Sequence, residues 1–164
     1  DTDVYISPEQ LAWLKDRLRN SECVFKVVMN SVPITNMPPL WDLAANDRWE
    51  GYRLQRREVL DLIRDEDIED VWFVSGDFHV CFAATMERNG VGRLAKTYEV
   101  AVTSGNSNPL GLTLQRPQFK YNTLSARIAT MRFDPVSKEV DVTFIDPSTL
   151  AVDTALTLTQ VETP

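Results

Sequence analysis

The sequence predicts an α/β unit of the α+β sandwich kind, and three observations carry that expectation. Up to about residue 80, helical periods alternate with apolar strand-like runs. Beyond that point the pattern changes to short strands at hairpin spacing. The 164 residues, 43% of them hydrophobic, are enough for one core, so residues 1–164 are expected to form a single unit.

The elements follow in order. In SPEQLAWLKDRLRN, Ser7 is a candidate cap, Pro8 suits the first helical position and Gln10 completes an S-x-x-Q box. Leu11, Leu14 and Leu18 then fall on one face. CVFKVVMN, residues 23–30, reads as a mostly buried strand. The stretch 31–51 carries three prolines and no period, which predicts a long loop, and Trp41 and Trp49 predict that it packs. YRLQRREVLDLIRD predicts a second helix with Tyr52, Arg56, Val59, Leu60 and Ile63 along one side. The acidic run 65–70 predicts a solvated turn. VWFVS, 71–75, predicts a second buried strand, parallel to the first because a crossover separates them. Residues 80–105 read as two strands turned at Asn89-Gly90. A second hairpin is expected around Asp134-Pro135, and a last strand over 154–162.

Composition narrows the function classes. The formal net charge is −7, and with it a role in nucleic-acid binding is not expected. No apolar run is long enough to cross a bilayer, and no membrane role is expected. The chain opens DTDVYISPEQ, without an initiator methionine or a signal peptide. Cys23 and Cys81 form no C-x-x-C pair; a bridge between them is sterically open, but each sits in an apolar run, where cysteine acts as a small hydrophobe.

The chain's one histidine lies in VWFVSGDFHV. Ligands of open α/β sheets gather beyond the carboxyl ends of the strands. Parallel pairing brings Asn30 and Asp77 out at one edge. Asp77 and His79, two apart, would point the same way on extended backbone, with Gly76 permitting a sharp turn. A carboxylate, an imidazole and an amide oxygen form a mixed set suited to zinc, iron or manganese, with calcium tolerated on the oxygen side. An ordinary Gly-Asp turn and a structural histidine account for the same residues. GNSNP, 105–109, lacks the last glycine of a nucleophile elbow and reads as a loop. There is no Walker A loop, no G-x-G-x-x-G and no H-E-x-x-H.

An ordered set of motifs adds to this reading: Gln10-Leu11-Ala12-Trp13-Leu14, a strand ending in Asn30, Trp49-Glu50-Gly51-Tyr52 with Arg56, and Gly76-Asp77-Phe78-His79. Over roughly residues 5–112, with TSGNSNPLG as a later serine/proline loop, this set resembles the alkaline phosphatase D (PhoD-like) metallophosphoesterases of the calcineurin-like superfamily. The resemblance implies the C-terminal half of a metallophosphoesterase-type β-sandwich flanked by helices. It implies two or more metal ions, iron with calcium, with zinc or manganese as alternatives. By position Asn30 would bind one metal and contact phosphate, Asp77 would bind the same metal, and His79 would bind the other and face the phosphoryl oxygens. The implied substrates are phosphomonoesters and phosphodiesters, and the family is commonly exported to the periplasm or beyond. Arg53, Arg56 and Arg57 are candidate anion contacts, or an ordinary paired helix surface.

The family domain begins with a half that supplies further ligands, and this sequence opens at the Q-x-x-W-L helix. Each metal takes about four to six ligands, so the N-terminal half or a second chain is expected to complete the site, and this chain alone is expected to be inactive. The rival expectation is a β-rich interaction module without chemistry.

Overall fold

The chain's structure, a computed structural model, describes residues 4–103 and 108–159. Helix α1 spans Pro8–Asn20. Ser7 caps it, its hydroxyl accepting from the Gln10 amide at 3.2 Å, and proline occupies the first turn, where an N–H would find no partner in the helix. Leu11 and Leu18 are buried and Leu14 packs beside them. Helix α2 spans Arg53–Asp65 and buries Val59, Leu60, Leu62 and Ile63. Gln55 is buried too. Its Oε1 accepts from the Tyr5 and Ile6 amides at 2.7 and 3.1 Å, and its Nε2 donates to the Ile6 carbonyl at 2.7 Å. One side chain thus pins the segment before α1 onto α2.

Eight strands form two sheets. The first has order β1-β2-β4-β3-β5, with β1 Lys26–Met29, β2 Val71–Ser75, β3 Cys81–Thr85, β4 Tyr98–Ala101 and β5 Phe119–Thr123. The second has order β6-β7-β8, with β6 Ile128–Asp134, β7 Glu139–Ile145 and β8 Val152–Thr159. The parallel pairing of β1 with β2 is as expected, in the register Lys26↔Val71 to Met29↔Val74. Alternation along β2 then assigns the layers. Val71 and Phe73 meet α1 and α2, while Trp72 faces Val140, Val142 and Phe144 of the second sheet. The first sheet is therefore covered by helices on one face and by a sheet on the other. This is the α/β sandwich that the sequence predicts.

The structure changes several local expectations. β1 is half-buried rather than mostly buried, because it is the edge strand: Val27 and Met29 are 44% and 75% exposed. The stretch 31–51 winds into 3-10 turns at Pro39–Asp47 and Trp49–Gly51, with Trp41 and Trp49 buried. β3 and β4 are antiparallel, but no tight hairpin joins them. Asn89-Gly90 closes a local turn, where the Gly90 amide (φ 70°) donates to the Glu87 carbonyl, inside a longer connection. β4 also pairs in parallel with β2, which local hairpin signals do not reveal. The hairpin at Asp134-Pro135 forms as expected, with Asp134 Oδ1 accepting from the Val136 and Ser137 amides. Both cysteines are free, Cys81 buried and Cys23 exposed. Residues 104–107 and 160–162 of the expected serine/proline loop and last strand lie outside the described residues.

Candidate functional site

Asn30 and Asp77 do emerge at one edge. The Asn30 amide donates to the Val74 carbonyl at 2.8 Å, so Asn30 lies just past the paired ends of β1 and β2. Its side-chain Nδ2 is buried and has no hydrogen-bond partner. An orphaned buried amide costs about 1–3 kcal/mol, so its persistence at a strand end fits a group that meets a ligand.

The segment after β2 is not extended, contrary to the sequence expectation. Asp77 and His79 both adopt left-handed backbone, with φ of 52° and 58°. Gly76, expected to supply the turn, has no positive φ. The reason is Phe78 between them. Its ring is buried, stacks on Trp41 at 4.6 Å and meets the edge of Phe82 at 6.0 Å. Driving Phe78 inward while its neighbours stay exposed takes a tight backbone path. Left-handed non-glycine residues cost about 1–3 kcal/mol each and persist where the surroundings overdetermine them. Asp77 and His79 consequently line one cleft of about 120 Å³, walled by Trp41, Phe78 and Asn108. The Asn108 amide donates to the His79 carbonyl at 2.9 Å. Asp47 lines the same cleft; Asn30 does not.

The donor set fits a share of a metal shell. Asp77, His79 and Asp47 offer oxygen and nitrogen donors at exposed positions, and Asn30 adds an amide at the neighbouring strand end. Among the described residues, no three His, Cys, Asp or Glu side chains are grouped closely enough to hold a metal by themselves.

Two supporting residues escaped the sequence reading. Glu99 on β4 is fully buried, and its carboxylate accepts from the Ile34 amide at 3.1 Å and the Thr35 amide at 2.8 Å. It clamps the chain four and five residues past Asn30. Burial pushes its pKa up, while the bonds from Thr35 and Ile34 pull it back. Arg48 is 1% exposed and joins Glu50 at 2.7 Å and the Trp41 carbonyl at 2.9 Å, so it fixes the 3-10 segment that walls the cleft. A glutamate inside the apolar run YEVAV was the available signal for the first; nothing local marks the second. Gly51 has a steric role, since a Cβ there would sit 2.6 Å from Asn46 Cα.

An α/β sandwich with candidate ligands on loops beyond parallel strands is an architecture of metal-dependent hydrolases as well as of many binding proteins. Comparison with known proteins narrows it. The profile of the PhoD-like phosphatases matches residues 4–144, and the chain belongs to that family. Alkaline phosphatase D of Bacillus subtilis (strain 168) is 25% identical over 87 residues, covering 49% of this chain and 14% of that protein. The solved structure of PhoD shares the fold, with a TM-score of 0.68 at 16% identity over 94% of this chain and 32% of that one. The chain thus spans about a third of the solved relative's length.

Proposed function

We propose that this chain contributes one side of the active site of a metal-dependent phosphoric ester hydrolase acting on phosphomonoesters and phosphodiesters. The observation that carries the reading is the Asp77-Phe78-His79 turn: in a member of a phosphatase family, two strained ligand-type residues share one cleft beyond the end of β2. Asp77 and Asn30 would hold one metal ion through a carboxylate and an amide oxygen, and His79 a second through its imidazole. The unpartnered Asn30 Nδ2 would donate to a phosphoryl oxygen, and His79 would face the same group. When bound, the metals, iron with calcium or else zinc or manganese, supply Lewis acidity and an acidified water. Glu99 keeps the turn after Asn30 in place, and Phe78 sets the separation of Asp77 from His79.

The remaining ligands would come from an N-terminal half of the same domain or from a second chain. Support comes from the free edge of β1, where Trp13, Val27 and Met29 are 57%, 44% and 75% exposed around a cleft of about 460 Å³. An unpaired apolar edge is a template for a further strand. The test is hydrolysis of a chromogenic phosphodiester and monoester with added iron and calcium. The chain alone is expected to be inactive, and the protein carrying the N-terminal half active. Full activity of the chain alone, or none in the complete protein with any of these metals, refutes the reading.

A further inference from the structure

A separate cleft, of about 360 Å³, is lined by Asp42 and Ala45 of the 3-10 segment Pro39–Asp47 and by none of Asn30, Asp77 and His79. That volume falls in the range of small-ligand sites, about 300–1,000 Å³. Its composition runs against the rest of the molecule. The chain carries a formal charge of −7, yet five arginines line this cleft: Arg53, Arg56, Arg57 and Arg64 from α2, and Arg88 from the β3–β4 connection.

The three carboxylates in the lining leave four of the five arginines without an ion pair among the described residues. Glu50 is bonded to Arg48 at 2.7 Å and Asp61 to Arg64 at 2.7 Å, while Asp42 stands 4.0 Å from Arg48. Arg53, Arg56, Arg57 and Arg88 make no ion pair among the described residues. Arg56 is the most informative. Its Nε donates to the Ile34 carbonyl at 2.7 Å, which fixes the guanidinium, but its Nη2 is buried without a partner. Burial holds its pKa below the ordinary arginine value, only partly offset by Glu50 and Glu99. A buried guanidinium nitrogen with no acceptor among the described residues, beside three arginines without ion pairs, is suited to receive an anion.

We infer that this cleft binds an oligophosphate: a ligand with at least two phosphoryl groups close together, gripped by Arg53, Arg56, Arg57 and Arg88. One phosphate dianion would leave part of that charge unmatched, and arginine forks recognise phosphoryl oxygens in pairs. The inference does not depend on the hydrolytic reading above, since none of its residues is a candidate metal ligand.

The test is calorimetric titration of the chain with inorganic tripolyphosphate and, separately, orthophosphate, in EDTA at low ionic strength. Without metal, the outcome is independent of hydrolysis at Asp77 and His79. Tripolyphosphate is expected to bind at least about tenfold more tightly than orthophosphate, with an affinity that falls as salt rises. The double variant Arg53→Gln/Arg57→Gln, both side chains exposed on α2, is expected to weaken binding at least about tenfold with its thermal midpoint little changed. Arg88→Gln tests the opposite wall and is expected to weaken binding as well. Arg17→Gln/Lys120→Gln removes the same charge elsewhere and is expected to leave affinity within about twofold. Absence of tripolyphosphate binding, equal affinity for orthophosphate, or equal weakening by the control pair overturns the inference.

Discussion

The carboxyl edge of β1 and β2 and the β6-β7-β8 sheet follow opposite rules. At the edge, Asp77 and His79 are strained, Asn30 Nδ2 is unpartnered, and a carboxylate, Glu99, is buried to hold a turn. In the second sheet, β6 and β7 pair without interruption from Ile128↔Ile145 to Asp134↔Glu139. Buried positions alternate with half-buried or exposed ones along β7, and Arg132 meets Asp141 across the pair at 2.7 Å. Positive φ in that half falls at Lys138 and Leu150, between strands, where a turn needs it. Left-handed residues alone do not separate the two regions, since each has two and Asp67 and Asp70 add two more before β2; what separates them is the orphaned buried side-chain polar atoms, none of which among the described residues lies in β6, β7 or β8. The regular sheet supports the structure, and the irregular edge carries groups that the fold alone does not require.

The largest effect that would sharpen this contrast is on chemistry. In the complete, metal-loaded protein, His79→Ala is expected to lower phosphodiester hydrolysis by at least about a hundredfold and to reduce bound metal, because losing a direct ligand should exceed the 10–100-fold cost of losing an outer-shell partner. Elemental analysis alongside turnover checks both. Unchanged turnover would mean that the strained turn is only a turn.

Next comes Phe78→Ala. It removes a buried ring stacked on Trp41, so about 3–5 kcal/mol of stability should be lost in urea unfolding. A loss below about 1 kcal/mol would show that the ring does not hold the Asp77-Phe78-His79 turn in place. By the same contrast, Val136, 93% exposed in the β6–β7 turn, should tolerate alanine with a change within about 0.5 kcal/mol.

Much of the edge was legible in the sequence, for a physical reason. Parallel pairing follows from a crossover, and parallel strands place Asn30 and Asp77 at one edge whatever the side chains do. The conformation of 76–79 was not legible, because it is set by Trp41 and Phe82, which reach Phe78 from other parts of the chain. The insertion of β4 between β2 and β3 is likewise a non-local choice. β5, FKYNT, was missed although Phe119 and Tyr121 alternate with Lys120 and Asn122, because five residues at a sheet edge make too short a period to stand out.

Glu99 gives an intermediate effect with a defined pH dependence. Glu99→Ala strands the Ile34 and Thr35 amides, at about 1–3 kcal/mol each. Its folded pKa is raised above the ordinary 4.5, so its contribution is fully present below that value and is lost as pH rises through the folded pKa. Over that window Glu99→Gln should flatten the fall in stability seen with the native residue. A variant that keeps the native slope in urea midpoints as pH rises above 4.5 would show that the carboxyl does not titrate in the folded chain.

A small effect with its own pH signature belongs to the regular side. Tyr121 on β5 donates its hydroxyl to Asp153 Oδ2 on β8 at 2.5 Å, and Arg127 Nε reaches the same oxygen at 3.0 Å, so three side chains tie the two sheets together. The Tyr121 hydroxyl, then Arg127, hold the Asp153 carboxyl below its usual range, while burial and Asp153 push the Tyr121 phenol up. The two shifts bound a window. The Asp153 contribution is present above its unfolded pKa and is lost as pH falls through the folded one. The Tyr121 contribution is present below about 10 and is lost as pH rises through its folded value. Tyr121→Phe keeps the ring that stacks on Phe144 at 4.2 Å and deletes only the donor. Because Arg127 still pairs Asp153 near the surface, the cost near neutral pH should be about 1 kcal/mol or less. The variant should also lose stability less steeply than the native chain above pH 10, with oligophosphate affinity and hydrolysis unchanged. A change in either activity would mean that the second sheet is coupled to the carboxyl edge, and the division between a regular support and a strained edge would not hold.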